Sequence, residues 1–204
     1  MIKEILKSAD FQKKLLWVNG LLPLSLLIFD WNQNNLGANP PEALIRTTGV
    51  IAIIFLLLSL AVTPMAKELK WSWTIKHRRW LGLWSFYYAL LHLFGYILFD
   101  KDMNFFSIIL DIKKRPFILL GFLAFIIMIP LAVTSSNSMI RKLGAKKWQK
   151  LHKLTYLIAI FVAIHYWLIV KSDIFYPGLA GLFLFIFLFY RFYNYRQKQH
   201  TSKT

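Results

Sequence analysis

Residues 148–167 have the sequence WQKLHKLTYLIAIFVAIHYW, an apolar run that contains His152 and His165, thirteen positions apart. At about 1.5 Å per residue, a helix of about 20 apolar residues crosses the hydrocarbon core of a membrane. An ionisable side chain inside a membrane span is costly and by default has a functional partner. The run therefore predicts a membrane helix whose histidines bind something.

Five further runs of similar length occur along the chain. The 204 residues are 57% apolar, with a positive mean hydropathy, which is too apolar for a soluble domain. The predicted spans are residues 14–31, 48–66, 80–99, 117–133, 152–170 and 178–194. We place residues 36–49 in a connection, and expect Pro64 to close the second span because proline ends helices readily. The sequence predicts an all-α membrane protein, one bundle of six transmembrane helices over residues 14–194.

The two ends of the predicted bundle differ in charge. If the N-terminus is cytoplasmic, the inner segments hold 19 of the 25 lysines and arginines, whereas the outer segments hold six cations and six acids. Positive charge is retained on the cytoplasmic side of membranes. We therefore predict that both termini are cytoplasmic, with residues 1–13 forming an amphipathic segment on the inner membrane surface and residues 195–204 a basic tail. The net charge of +16 then reflects topology in a lipid bilayer and indicates no nucleic-acid partner.

Composition excludes several kinds of redox site. Without cysteine, the chain cannot ligate an iron–sulfur cluster or a thiolate-bound haem, and it cannot perform dithiol chemistry. The nine glycines never form the GxGxxG pattern of a dinucleotide-binding domain. If this protein transfers electrons, a bound cofactor must carry them.

Two histidines are predicted to lie at the same depth on different spans. His92 follows Arg79, at the inner boundary, by thirteen residues, or roughly 20 Å of helix. His165 precedes Lys171, at the outer boundary, by six residues, or roughly 9 Å. Two neutral imidazoles at one depth suit bis-histidine ligation of a haem iron. The alternative is that each histidine donates a hydrogen bond to a carbonyl across the bundle.

Gly95 lies three residues after His92 and on the same helix face. A missing side chain there would let a flat cofactor approach the backbone. The alternative for Gly95 is close packing between helices, which small residues serve throughout membrane proteins. The sequence leaves both interpretations open.

His152 lies near the inner end of the fifth span, where the sequence offers more than one role for it. An uninterrupted helix would place His152 and His165 about 140° apart in azimuth, which counts against a stack of two haems on one face. An inner haem would need a partner on the third span, where His77 is a candidate within IKHRRW. A flavin or quinone site near His152 is an equal alternative.

Several fragments together resemble one family. They are LGANPPE, LAVTPM, RRWLGLW, the histidine of YYALLHL, and RKLGAKKWQKLHKLTYLIAIFVAIHYW. With the six-span layout, they resemble the haem-binding membrane subunits of bacterial periplasmic protein-methionine-sulfoxide reductase systems, within the ferric-reductase-like transmembrane group. The resemblance extends from about residue 16 to residue 193.

This resemblance implies haem b, FMN, and electron delivery from quinol to a molybdopterin-containing catalytic subunit outside the inner membrane. The functional histidines of the family fall on His92, His152 and His165. Related oxidases and ferric reductases have two histidines on each of two helices, whereas Arg78 takes the inner position of the third span here. His77 matches no family histidine. One haem is therefore expected, and a second, at His152, stays open.

Three functions are weighed from the sequence. The first is an electron-transfer subunit with no substrate-converting site. Arg46 and Lys171 could pair with the propionates of its haem; the alternative is that both are ordinary interfacial residues. The second is a ferric or other metal reductase that a separate soluble flavin reductase supplies with electrons. The third is a transporter or structural bundle without a cofactor.

Overall fold

The structure is a computed structural model that describes residues 8–170 and 173–201, and this part of the chain is almost wholly helical. The helices are α1 (Ala9–Asn32), α2 (Pro40–Glu68), α3 (Arg78–Gly95), α4 (Phe105–Lys114), α5 (Pro116–Val133), α6 (Asn137–Leu143), α7 (Ala145–His152), α8 (Leu154–Ile169) and α9 (Phe175–Thr201). A 3₁₀ turn (Ser72–His77) precedes α3 and one π-helical turn (Tyr96–Asp100) extends it.

Within the described residues, six helical stretches are long and apolar enough to cross a membrane, which confirms the predicted six-span bundle. They comprise α1, α2, α3 with its flanking turns, α5, α7 continued by α8, and α9. We call the end with residues 69–77 and 134–153 the basic end, and the end with residues 33–39 and 101–115 the neutral end. The predicted segment 1–13 lies largely outside the described residues, as does Lys171. The predicted tail, 195–204, continues α9 as helix up to Thr201.

Two antiparallel helix pairs form the centre of the bundle. In the pair of α2 and α3, the Ser85 hydroxyl donates to the Ala52 carbonyl oxygen at 2.9 Å, and the rings of Phe55 and Tyr88 stack with centroids 5.6 Å apart. In the pair of α5 and α8, the buried cluster contains Ala124 and Ala159, whose small side chains let the helices approach closely. Each of the two pairs contains one of the histidines predicted to lie at a common depth.

The start of α2 corrects a predicted boundary. Residues 36–49 were expected in a connection, but α2 begins at Pro40. Asn39 caps the helix by accepting from the Glu42 amide at 3.4 Å, and proline suits the first helical position because its missing N–H has no partner there in any case. Glu42, Arg46 and Thr47 lie in the first turns of α2, and these polar side chains lower the hydropathy there, so a hydropathy pattern does not indicate a membrane helix. The correction matters because this segment contacts His92.

Pro64 does not close α2, contrary to expectation, since the helix continues to Glu68. A proline inside a helix leaves the carbonyl four residues earlier without its usual N–H donor. That carbonyl belongs to Leu60, and it accepts from the Arg191 guanidinium of α9 at 2.7 Å. Arg191 also donates to Thr63 Oγ1 and lies over the ring of Tyr156. A cation from the sixth span thus replaces the hydrogen bond that the proline removes.

We expect Arg191→Met to destabilise the bundle by about 1–3 kcal/mol, the usual cost of a buried carbonyl left without a donor. The measurement is the free energy of unfolding, or the thermal midpoint, in a mild detergent. Arg196→Met is the matched control, because Arg196 is exposed on the same helix and should change stability by less than about 0.5 kcal/mol. Equal effects of the two substitutions would contradict a specific role for Arg191.

Candidate functional site

The structure brings His92 of α3 and His165 of α8 together. The centroids of the two imidazole rings lie 6.2 Å apart, and the ring planes are nearly perpendicular, at 85°. His92 lies eight residues before Asp100, and His165 four before Ile169, where their spans end at the neutral end. Both histidines therefore lie roughly 6–12 Å inside the neutral end of the bundle.

Each of these rings donates a hydrogen bond to a backbone carbonyl on a neighbouring helix. His92 Nδ1 donates to the Ile45 oxygen at 2.8 Å, and His165 Nδ1 donates to the Phe117 oxygen at 2.6 Å. A carbonyl only accepts, so the proton of each neutral ring must be on Nδ1. Nε2 then has the lone pair, which is the arrangement found in metal-ligating histidines. In the sequence analysis, a hydrogen bond to a carbonyl was the alternative to metal ligation. The two are compatible, because this hydrogen bond fixes the tautomer that can bind a metal.

A glycine lies against each imidazole, four residues after the accepting carbonyl. A β-carbon at Gly49 would come within 2.9 Å of His92 Nδ1, and one at Gly121 within 2.9 Å of His165 Cε1. Residues four apart lie on one helix face, so the absent side chain opens the path to the carbonyl one turn before it. We call each carbonyl–glycine pair an imidazole seat: Ile45 with Gly49, and Phe117 with Gly121. The second seat repeats the first on a different helix pair.

Sequence reasoning missed both seats. Gly49 was placed at the end of a connection, and Gly121 was one small residue in an apolar span. Backbone carbonyls have no sequence signature, because every residue has one. The available signal was a glycine inside each of the two spans that precede a histidine-bearing span.

Gly95, the glycine that the sequence singled out, packs elsewhere. A β-carbon there would lie 3.0 Å from Ile45 Cγ1 and 3.2 Å from Leu44 Cδ2. The missing side chain thus lets α3 approach α2 closely. This contact favours the packing alternative for Gly95, and it helps to place Ile45 beside His92.

The two imidazoles suit a haem iron in spacing and in chemistry. With both Nε2 atoms on one iron, two metal–nitrogen bonds of about 2 Å, plus about 1 Å from each nitrogen to its ring centroid, would give a centroid separation of about 6 Å. The observed separation is 6.2 Å. The two seats hold both rings as neutral imidazoles with the lone pair on Nε2, which is the form that iron binds.

His152 lies at the basic end, away from this pair. Its ring stacks on Trp148 with centroids 3.9 Å apart, Nδ1 donates to the Trp148 carbonyl at 3.1 Å, and Nε2 lies 3.5 Å from Ser135 Oγ. The helix tightens at Lys153, where the amides of Lys153 and Tyr156 donate to carbonyls three residues earlier, so the azimuth predicted for a regular helix is shifted. The charge of Arg78 lies within electrostatic range of the ring. His152 and Arg78 thus share the basic end of the site.

His77 makes a contact of a different kind. Its Nε2 lies 3.0 Å from Gln12 Oε1, and its ring packs edge-on against Trp73. These contacts join α1 to the 3₁₀ turn that precedes α3. The structure places His77 in helix packing, and it brings no described histidine beside it.

A buried ion cluster fixes the neutral end next to the histidine pair. Asp111 of α4 accepts from Tyr96 at 2.9 Å, and pairs with Lys101 at 2.8 Å and Arg115 at 3.2 Å. Burial alone would raise the pKa of Asp111, but the hydrogen bonds from Lys101 and Tyr96 outweigh it and lower that pKa. Burial alone would lower the pKa of Lys101, but Asp111 and Asp100 outweigh it and raise that pKa. Tyr96 is one turn beyond His92, so the cluster anchors the helix end that carries this histidine.

We expect the bundle to lose stability as the pH falls through the lowered pKa of Asp111. A lowered carboxylate pKa contributes stability that is present above the unfolded value of about 4 and is lost below it. The pKa of Lys101 is raised, so the stability that Lys101 contributes is present at neutral pH and is lost only when the pH rises above about 10. The measurement is the thermal midpoint against pH for the wild type and for Asp111→Asn. The variant should be less stable by about 2 kcal/mol near neutral pH and should lack most of the acid dependence. An unchanged acid limb in the variant would assign that dependence to other groups.

Comparisons with known proteins place the chain among similar sequences. Residues 48–163 match the family described as the ferric reductase like transmembrane component. The chain is 40% identical to the protein-methionine-sulfoxide reductase heme-binding subunit MsrQ of Herminiimonas arsenicoxydans, over 92% of this chain and 87% of that protein. It is 43% identical to the subunit of the same name from Deinococcus radiodurans, over 82% of each protein.

A third relative, the magnetosome protein MamZ of Magnetospirillum gryphiswaldense, is 37% identical over 90% of this chain but only 29% of its own length. Here the present chain corresponds to one part of a longer protein. No solved structure matches the chain.

Proposed function

The chain belongs to the ferric-reductase-like transmembrane family and, within it, to the haem-binding subunits of protein-methionine-sulfoxide reductase, and on this basis we propose that it is an electron-transfer subunit that binds haem b between His92 and His165. One observation carries the proposal. The centroids of the two imidazole rings lie 6.2 Å apart, and each Nδ1 donates a hydrogen bond to a backbone carbonyl. Both Nε2 atoms therefore have a free lone pair with which to bind a metal.

The residues around the pair hold the ligands and leave the chemistry to the cofactor. When bound, haem supplies a one-electron couple at iron. Ile45 and Phe117 fix the tautomer and the direction of the two rings through their carbonyls. The surrounding spans are apolar, which limits the polar groups that could compete for the imidazole nitrogens. No proton has to move at either histidine, because both Nδ1 protons are already bound by carbonyls.

The position of the pair supports a direction for electron flow. Both histidines lie close to the neutral end, and the asymmetry of charge between the two ends supports a periplasmic location for the neutral end and cytoplasmic termini in a bacterial inner membrane. We propose that electrons leave there to a periplasmic molybdopterin catalytic subunit that reduces methionine sulfoxide in oxidised proteins. Electron transfer requires a short gap, which a shallow site provides to a soluble acceptor.

We propose that the donor approaches from the basic end, where His152 and Arg78 lie. A quinol or an FMN there would meet an imidazole stacked on Trp148 and a guanidinium that favours anionic groups. His152 is also the residue on which a second haem would depend. A pyridine haemochrome assay gives the number of haems per chain, and a value near two that falls to one in His152→Ala would establish the second haem.

A reduced-minus-oxidised visible spectrum of the purified protein tests the proposed function. We expect the bands of a b-type haem, and reduction by a quinol analogue at a rate that supports turnover of the catalytic subunit. Reduction by NADPH only in the presence of a soluble flavin reductase, with ferric ions as an efficient acceptor, would instead identify a metal reductase. A chain that binds no haem after expression with sufficient haem supply would refute the proposal.

A further inference from the structure

The connection between the third and fourth spans contains an amphipathic helix, α4. Asn104 caps it by accepting from the Ser107 amide at 3.0 Å, and its ten residues end in Lys113 and Lys114. Ile108 and Asp111 face inward and are buried. This helix was not apparent from the sequence, where residues 101–115 were counted only for their charge.

The other face of α4 is exposed, and it is apolar up to Ile109, before Lys113 follows on the same side in the last turn. Phe105 is 72% exposed, Phe106 is 70% exposed and Ile109 is 53% exposed. These positions fall within one side of the helix at 100° per residue. Such a face would be unfavourable in water, where exposed apolar residues of this size mark an interaction surface.

The direction of this face is fixed by the ion cluster at Asp111. Lys101, which precedes α4, and Arg115, which follows it, both pair with this carboxylate, and Tyr96 donates to it from the end of the third span. The carboxylate thus anchors the inward side of α4 at both ends of the helix. The apolar face is held outward, whatever covers it.

The surroundings of α4 indicate lipid as the cover. The third span ends at Asp100 and the fourth begins at Pro116, so both ends of α4 are tied to the same membrane boundary. The adjoining spans also expose apolar side chains close to α4 along the chain, with Leu98 and Phe99 at 43% and 44% before it and Leu119 at 41% after it. The last turn of α4 contains Lys113 and Lys114. Their ammonium groups can pair with lipid phosphates while the aliphatic parts of the side chains lie along the apolar surface.

We propose that α4 lies in the plane of the membrane at the neutral end, with Phe105, Phe106 and Ile109 among the acyl chains and Lys113 and Lys114 at the level of the phosphates. The ligand class is the phospholipid of that leaflet. This inference does not depend on haem, and it adds a membrane-surface contact to the six spans. It also means that the ion cluster beside His92 is held against the lipid surface.

Site-directed spin labelling tests this proposal cleanly, because the chain contains no cysteine. Phe106→Cys and Ile109→Cys would each be labelled with a nitroxide and reconstituted into vesicles of phosphatidylcholine and phosphatidylglycerol. Collision rates with oxygen, which concentrates in lipid, and with a water-soluble nickel chelate would then be compared. Ile126→Cys, on the exposed face of α5, is the lipid reference, and Asn35→Cys, in the 33–39 connection, is the water reference.

We expect the labels at Phe106 and Ile109 to resemble the one at Ile126, with nickel accessibility several-fold below that of Asn35. Nickel accessibility equal to that of Asn35 at both positions would show that the face lies in water and would overturn the proposal. Protection from both reagents would show that protein covers the face, such as a second copy of the chain, and would overturn it as well. Two labelled positions guard against one substitution that disturbs α4.

Discussion

Replacing His92 or His165 with alanine is expected to remove nearly all haem from the purified protein. Each substitution deletes one of the two imidazoles whose ring centroids lie 6.2 Å apart, and a single imidazole holds a haem far less firmly in a site built for two. The measurement is haem per chain by pyridine haemochrome, with the protein quantified separately. Added imidazole should restore part of the absorbance if the cavity left by the side chain stays open.

His77→Ala is the matched control, because His77 contacts Gln12 and Trp73 and lies at the basic end. We expect it to keep haem near the wild-type level, with at most a modest loss of thermal stability. A His92→Ala protein with wild-type haem content would refute the proposed pairing. Equal losses in the three variants would indicate a general defect in folding and would require the thermal midpoints to be compared.

Gly49→Ala and Gly121→Ala are expected to lower haem affinity by about tenfold, although neither residue could bind iron. The new β-carbon would lie 2.9 Å from an imidazole atom, so the ring must move away from the carbonyl that orients it. Overpacking of this kind costs about 1–3 kcal/mol, and about 1.4 kcal/mol corresponds to tenfold in affinity. The measurement is the rate of haem transfer to excess apomyoglobin, together with the haem reduction potential.

Gly82→Ala is the matched control for both substitutions. Gly82 is also helical, and a β-carbon there meets nothing within 4 Å. Alanine is the better helix former by about 1 kcal/mol, so this variant should be as stable as the wild type or more so, with haem unchanged. If Gly82→Ala lost as much haem as Gly49→Ala, the effect would belong to helix substitution in general and the imidazole seats would have no special role.

Hydropathy and charge were sufficient to predict the six spans, because both are properties of side chains. The depth of His92 and His165 followed from counting residues along predicted helices, and the structure does bring the two rings together. The predicted start of the second span was about eight residues too late, because Glu42 and Arg46 in the first turns of α2 are charged, as is typical of a loop between membrane spans.

The remaining features depend on groups that a sequence pattern does not show. The carbonyl of Leu60 becomes available only because Pro64 lies within a helix, and Arg191 reaches it from a helix more than a hundred residues later. The seats at Ile45 and Phe117 likewise use backbone atoms. Asp111 appeared as one of six acids in outer segments that are neutral only when taken together, and its partners became visible only with the fold of α4.

The repetition of the imidazole seat on two helix pairs has a consequence for assembly. The pair of α2 and α3 contains one complete seat with its histidine, and the pair of α5 and α8 contains the other. At the proposed haem site, each helix pair alone would present one oriented imidazole, and the two ligands come together only once the pairs dock against each other.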